Sequence, residues 1–223
     1  MIKELLLKAA GKFFAGLVII SLLLFIPAGT IKFYYGWLFI IILFVPMLAA
    51  GIVLLFKNPT LLEKRLNAKE EEDEQKSVLL LSGLMFLAAF VVAGLCFRFG
   101  FLVLPKWAAK SGAVIFLAAY VMYAEVLREN TYLSRTVEVQ ENQKVIDTGL
   151  YGVMRHPMYC ATLFLFLSMG IVLGSPISFA ILLAYIPIIA KRIRNEEQVL
   201  EEGLEGYREY KTRVKYKVIP FIW

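Results

Sequence analysis

The chain has 223 residues, of which 60% are apolar or aromatic and only 19% charged, with a mean hydropathy of +0.70. Soluble domains run nearer half apolar and a quarter charged, so a soluble fold, a disordered chain and a disulfide scaffold are excluded. The formal charge of +6 comes from basic residues beside the ends of apolar runs, where membrane topology and anionic lipid account for them without a nucleic acid partner.

The basic amphipathic start MIKELLLKAAGK leads into an apolar run from Phe13 to Ile26. No small-residue cleavage pattern precedes the next span, so this run is read as a helix and not as a secretory signal. Further runs extend from Tyr34 to Phe56, Val78 to Phe97 and Ala113 to Leu127. Each approaches the roughly 20 apolar residues that a hydrocarbon core requires. Two shorter runs, Tyr159 to Leu173 and Ile177 to Ala190, flank the turn-forming Gly174-Ser175-Pro176 and span about 22 Å each, which reads as a tight helical hairpin over 157–190. The expected fold is all-α: a polytopic membrane protein with about four transmembrane helices and a C-terminal transmembrane hairpin. Residues 1–128, with a polar loop at 57–77, form the N-terminal transmembrane part, and 129–223 the C-terminal region.

Lysine and arginine set the orientation, because cytoplasmic loops carry their excess. The N-terminus, the loop at 57–77, the segment before the hairpin and the C-terminal tail hold 20 of them, and the alternate loops hold four. Both termini are therefore expected in the cytoplasm, in a cell membrane for a prokaryote or the endoplasmic reticulum for a eukaryote. Tyr34, Tyr35, Trp37 and Trp107 read as interfacial anchors at the opposite surface, and the acidic block Glu70 to Glu74 as a solvated gatekeeper between spans. Cys96 and Cys160 both lie inside apolar runs, and a single histidine leaves no multi-histidine metal centre, so no metal is expected.

Chemistry concentrates in RENTYLSRTVEVQENQKVIDTGLYGVMRHPMY, a polar stretch between two apolar spans, and in KRIRNEEQVLEEGLEGYREYKTRVKYKVIPFIW after the hairpin. Pro157 suits a first helical turn, so the N–H groups of Met158, Tyr159 and their neighbours offer an anion site beside His156, the one imidazole of the chain. Arg192 and Glu196 are four apart, on one helix face; alone they read as a surface pair. The hairpin, however, returns them with Glu197 to the side of His156, and Glu125 at a span's rim is a further candidate for the same cavity.

At Gly149-Leu150-Tyr151, Arg155-His156-Pro157-Met158-Tyr159, Asn58-Pro59, Leu61-Leu62, Gly174-Ser175-Pro176, Arg192 followed by Glu196-Glu197, Tyr207, Tyr210 and the closing Val-Ile-Pro-Phe-Ile-Trp, the sequence resembles the isoprenylcysteine carboxyl methyltransferase family and the related phospholipid N-methyltransferases. The likeness covers roughly the last hundred residues in order; Ala161 stands where the family often has glycine. The resemblance implies an integral membrane enzyme that uses S-adenosylmethionine without a Rossmann domain, with the cofactor at the cytoplasmic end of the hairpin. It maps cofactor contacts to Gln140, Lys144, Val145, Ile146, Tyr151, His156, Pro157, Met158, Tyr159 and Glu196. The acceptor-side arginine maps to Arg192, with Arg194 as the other register, so Arg192 and Glu196 carry the reaction. A sulfonium suits a carboxylate and aromatic faces, which Glu196 and Tyr151 or Tyr159 supply. A prenylated carboxylate, an ethanolamine headgroup and a small lipophilic thiol or amine all stay open as acceptor. Membrane sterol and steroid reductases that bind NADPH share the arginine-rich hairpin exit and the tyrosine pair, and form the competing enzyme class.

Overall fold

A computed structural model of the chain describes residues 2–66, 73–133 and 139–223. The described residues are helical and hold no strand. Helices α1 (Ile2–Ala28), α2 (Tyr34–Lys57), α4 (Asp73–Phe99) and α5 (Lys106–Glu129) correspond to the four long apolar runs, with the amphipathic start joined to α1. The short α3 (Pro59–Leu66) lies between α2 and α4, in the stretch expected to be loop. Residues 67–72, where most of the acidic block falls, lie outside the described residues.

The hairpin is asymmetric. Its first leg, α6 (Pro157–Val172), has 16 residues, so it is about 24 Å long. The return leg consists of α7 (Pro176–Leu182) and α8 (Tyr185–Gly203), which together make a helical stretch of 28 residues whose apolar part is long enough to cross a membrane. The expected end at residue 190 is thus corrected to Gly203: the helix continues through KRIRNEEQVLEEG after the apolar pattern stops. Pro187 explains the break between α7 and α8. Having no N–H, it leaves the Leu183 carbonyl without its helical partner, and the Ile186 N–H takes that carbonyl at 3.0 Å in a tighter turn. Among the described residues five stretches are long and apolar enough to span a bilayer, and α6 is a sixth, shorter apolar helix. This is a polytopic all-α membrane protein.

Small residues set the packing. Lipid is as apolar as leucine, so helices gain by close backbone approach rather than by hiding from water. Ala109, Gly112 and Ala113 form such a face on α5, where a Cβ on Gly112 would meet Ile171 of α6 at 2.9 Å. On α4, Gly94 faces the α1 backbone in the same way, with Leu24 O 2.7 Å from a notional Cβ. Helix α6 buries residues on all sides, from Tyr159 and Cys160 to Val172, because α5, α7, α2 and α8 surround it. Ser178 Oγ, fully buried, donates to the Ala89 carbonyl at 2.8 Å and ties α7 to α4. Leu7, Phe14, Val45, Phe56 and Val121 point outward as a lipid-facing belt.

At the hairpin tip, Tyr35 departs from the anchor expected of it. It is buried, its hydroxyl donates to the Leu104 carbonyl at 2.5 Å, and the Leu104 N–H donates to Gly174 O at 2.8 Å. Gly174 has φ +68 and lies against the Tyr35 ring, so no side chain fits there. Trp37 and Trp107 do stay exposed at this end.

Candidate functional site

The polar end of the bundle is built around the start of α6. After α5, a single 3-10 turn at Gly149–Gly152 brings the chain back, and Thr148 donates its hydroxyl to the Glu129 carboxylate at the end of α5. Gly149, with φ +51, passes so close to Glu129 that a Cβ would strike the carboxylate. Pro157 then opens α6 at its first position. The N–H groups of Tyr159 and Cys160 both turn to the His156 carbonyl, at 3.0 and 3.2 Å. The first turn therefore presents the Met158 N–H, not the row of free donors expected from the sequence.

Beneath this turn lies a buried charge network centred on Glu197. Its Oε1 accepts from Arg155 Nε at 2.8 Å and lies 3.3 Å from His156 Nε2, while its Oε2 lies 3.0 Å from Lys217 Nζ. Arg155, His156 and Glu197 are each at most 6% exposed. Arg155 also donates from Nη1 to the carbonyls of Val214 and Lys215, at 2.7 and 2.9 Å. The backbone N–H groups of Arg155 and His156 donate to Tyr216 and Lys217 carbonyls at 2.9 and 2.8 Å. The segment 214–218, following α9 (Tyr207–Arg213), is thereby strapped across the start of α6, with Val218 fully buried.

Above the network a cavity, partly open to solvent, is walled by α6, α8, α9 and the segment after α5. Within it, Tyr159 is shared: its hydroxyl donates to Glu196 Oε2 and accepts from Arg192 Nε at 3.0 Å. Asn130 Nδ2 donates to the Tyr151 hydroxyl at 3.0 Å, and the Tyr210 hydroxyl to the Tyr151 carbonyl at 2.7 Å. Burial pushes the Tyr151 hydroxyl up to about 12, against the lowering effect of Asn130. Tyr207 is 4% exposed, and its hydroxyl has no hydrogen-bond partner among the described residues, an uncommon condition for a buried polar group. Burial first, then the charges of Glu197 and Glu196, raise Tyr207 well above the usual phenol range, so it is a neutral donor. Leu204, Tyr207, Tyr210 and Val214, with Val139, Val145 and Leu200, form an apolar cluster at this end.

Residues 111–202 match the sequence profile of the isoprenylcysteine carboxyl methyltransferase (ICMT) family. The match takes in 92 of the 223 residues. It runs from α5 through the hairpin to the end of α8 and contains the Arg-His-Pro start, Tyr159, Arg192 and both glutamates. The structure of the eukaryotic intramembrane Ras methyltransferase ICMT, solved without a monobody, shares the fold: it aligns over 99% of this chain and 97% of its own at a TM-score of 0.51, with 17% identity. A Delta(14)-sterol reductase, TM7SF2 of Mus musculus, is 25% identical over 95 residues, 40% of this chain. The chain spans only 22% of the length of that relative.

Of the residues that the ICMT resemblance nominates, Lys144, Val145, Ile146, Tyr151, His156, Met158, Tyr159, Arg192 and Glu196 line the one cavity. Gln140 and Pro157 are not among its lining residues. Gln140 Nε2 donates to the Tyr132 carbonyl at 2.5 Å and its N–H to Gln143 Oε1 at 2.9 Å, so it braces two residues that do line the cavity. Pro157 shapes the helix start. The two arginine registers separate: Arg192 lines the cavity, and Arg194 is exposed and faces an outer cleft with Glu201 and Arg208. Glu125 points away and pairs with Arg128.

Sequence reasoning did not find Asn130, Tyr132, Leu133 and Gln143, which have no motif, nor Val199 and Leu200. The latter pair had a signal, since they continue the Arg192–Glu196 stripe at helical spacing. Residues 134–138 of the polar stretch lie outside the described residues. Among the described residues no cluster of three His, Cys, Asp or Glu is arranged to hold a metal, and Cys96 and Cys160 are buried and free.

Proposed function

We propose that this chain is an integral membrane methyltransferase that moves a methyl group from S-adenosylmethionine to a lipophilic acceptor, a carboxylate in the first instance. The observation that carries the reading is the shared Tyr159 hydroxyl: a carboxylate suited to a sulfonium, Glu196, and a guanidinium suited to an anionic acceptor, Arg192, flank one phenol in one cavity. The family match supports it.

The residues present fit this cofactor. Glu196 and the faces of Tyr151 and Tyr159 suit its cation, the Met158 N–H and Lys144 its carboxylate, and the cluster of Leu200, Leu204 and Tyr207 an adenine ring. The unpartnered Tyr207 hydroxyl is a hydrogen-bonding group held ready for a ligand. Gln140 serves through Tyr132 and Gln143, and Val145 and Ile146 as apolar wall. When bound, the cofactor supplies an electrophilic methyl on a sulfonium, whose carbon–sulfur bond breaks as the acceptor oxygen bonds to carbon. Arg192 binds and orients the acceptor carboxylate, which is already ionised at neutral pH and needs no general base. Tyr159, fixed by Glu196, keeps Arg192 in place.

Residues 129–223 hold the cofactor in this reading, and the spans of 1–128, with the loop 57–77, wall the acceptor's path from the bilayer. The lysine and arginine asymmetry supports a cytoplasmic side for the cavity and both termini. The test is a thermal shift in detergent. S-adenosylhomocysteine at 100 times its dissociation constant should add about 2.7 kcal/mol of stability. The sterol reductase relative favours a second reading, an NADPH-dependent reductase. A shift with NADPH and none with either adenosyl ligand establishes that reading instead. An ethanolamine headgroup, the phospholipid N-methyltransferase case, is separated from a prenylated carboxylate by an acceptor panel.

A further inference from the structure

Glu196 and Glu197 are neighbours in sequence, but α8 turns successive side chains about 100° apart. Glu196 lines the site cavity, and Glu197 lines the outer cleft. The His156 ring stands between them, 4% exposed, with Nε2 3.3 Å from Glu197 Oε1 and Nδ1 3.8 Å from Glu196 Oε1. Its plane lies against the Tyr159 ring, centroids 5.6 Å apart and inclined by 29°.

The two carboxylates are not equivalent partners. Glu197 faces Arg155, Lys217 and, at 3.8 Å, Lys211, so it is held ionised and can only accept. The ring nitrogen that faces it must therefore carry a proton. Glu196 lies beyond hydrogen-bond distance from Nδ1, and its Oε2 is engaged by the Tyr159 hydroxyl. Nδ1 thus receives no donor from the described residues, on the ring edge nearer the cavity.

We infer that Glu197 fixes His156 as the Nε2–H tautomer and so turns the Nδ1 lone pair toward the cavity, as an acceptor for a ligand N–H or O–H donor. Glu197 is a positioning residue; His156 makes the contact. The ligand half rests on the cofactor reading above, since an S-adenosyl ligand offers both an ammonium group and ribose hydroxyls. The tautomer half stands on the protein alone.

His156 is the chain's single histidine, so isotopically labelled histidine gives one imidazole to observe in the whole protein. In ligand-free protein in detergent, the neutral ring should show a protonated Nε2 and a bare Nδ1; an Nδ1–H tautomer overturns the inference. Saturation with S-adenosylhomocysteine should move the Nδ1 resonance and leave Nε2 in place. Calorimetrically demonstrated binding with Nδ1 unmoved overturns the ligand half. Absence of binding overturns the ligand half together with the cofactor reading, while the tautomer is still decided by the ligand-free spectrum. The paired variant Glu197→Met with Lys217→Met removes one charge of each sign. It should yield a mixture of tautomers and raise the cofactor KM by about tenfold, with kcat changed less. Lys217→Met alone should keep the wild-type tautomer. A paired variant whose ring spectrum matches wild type denies Glu197 its role.

Discussion

Replacing Arg155 with methionine tests how the site is held together. The substitution keeps an unbranched apolar stem and deletes the guanidinium. Glu197 is left with Lys217 at 3.0 Å and His156 at 3.3 Å, so the loss falls at the low end of the range for breaking a buried pair, about 3 kcal/mol. The carbonyls of Val214 and Lys215 lose their donor as well, at about 1 kcal/mol each. The total, about 5 kcal/mol, acts on the strap more than on the spans, because every broken contact joins residues 214–217 or Glu197 to the start of α6. Hydrogen exchange reads this directly: the amides of Arg155 and His156, bonded to Tyr216 and Lys217, should exchange about three orders of magnitude faster, at about 1.4 kcal/mol per tenfold, while the amides of α4 and α5 hold. Acceleration throughout the bundle, or none at the start of α6, would refute a locally locked strap.

Three other perturbations separate packing from binding. Tyr207→Phe removes a buried hydroxyl without a partner, so thermal stability should hold or rise by about 1 kcal/mol while affinity for S-adenosylhomocysteine falls; loss of stability with unchanged affinity contradicts the assignment of that hydroxyl to a ligand. Gly170→Ala places a Cβ 2.5 Å from the Phe179 backbone and should cost about 1–3 kcal/mol by overpacking at the hairpin, seen as a lower melting point in detergent. Burial raises Tyr151 from 10.0 to about 12, so the folded state keeps its proton longer than the unfolded chain. The stability this contributes is complete below pH 10 and is lost as pH rises toward 12, and Tyr151→Phe should remove that part of the alkaline decline in melts recorded against pH.

The apolar runs were legible because bilayer thickness imposes a length that composition alone reveals. Boundaries failed where other forces act. Helix α8 outlasts its apolar run by 13 residues because Glu196, Arg192 and Glu197 find partners within the protein, which hydropathy does not register. Tyr35 looked like Tyr34 and Trp37, and only the fold reveals that its hydroxyl meets Leu104. Nine of the nineteen residues that line the cavity were nominated by the family resemblance, and the hairpin brings 151–159 to 192–196. The strap was not: Arg155 binds it chiefly through backbone carbonyls, and a carbonyl leaves no trace in the identity of Val214 or Lys215. The division of labour between Glu196 and Glu197 depends on helical phase against two different cavities, which no spacing between adjacent residues conveys.

The strap also sets an order on biogenesis. Residues 214–218 leave the ribosome after every helix that spans or lines the bundle, so the membrane segments insert while Arg155 and Glu197 still lack their outer partners. During that interval two backbone amides at the start of α6 lack their strap partners, and Arg155 and Glu197 are left with each other and with His156. A chain arrested before residue 214 would pass any test of membrane insertion and still carry an open, protease-accessible surface at its polar end. Quality control that samples exposed backbone at the membrane surface would therefore distinguish a copy that lacks the strap from one that has it.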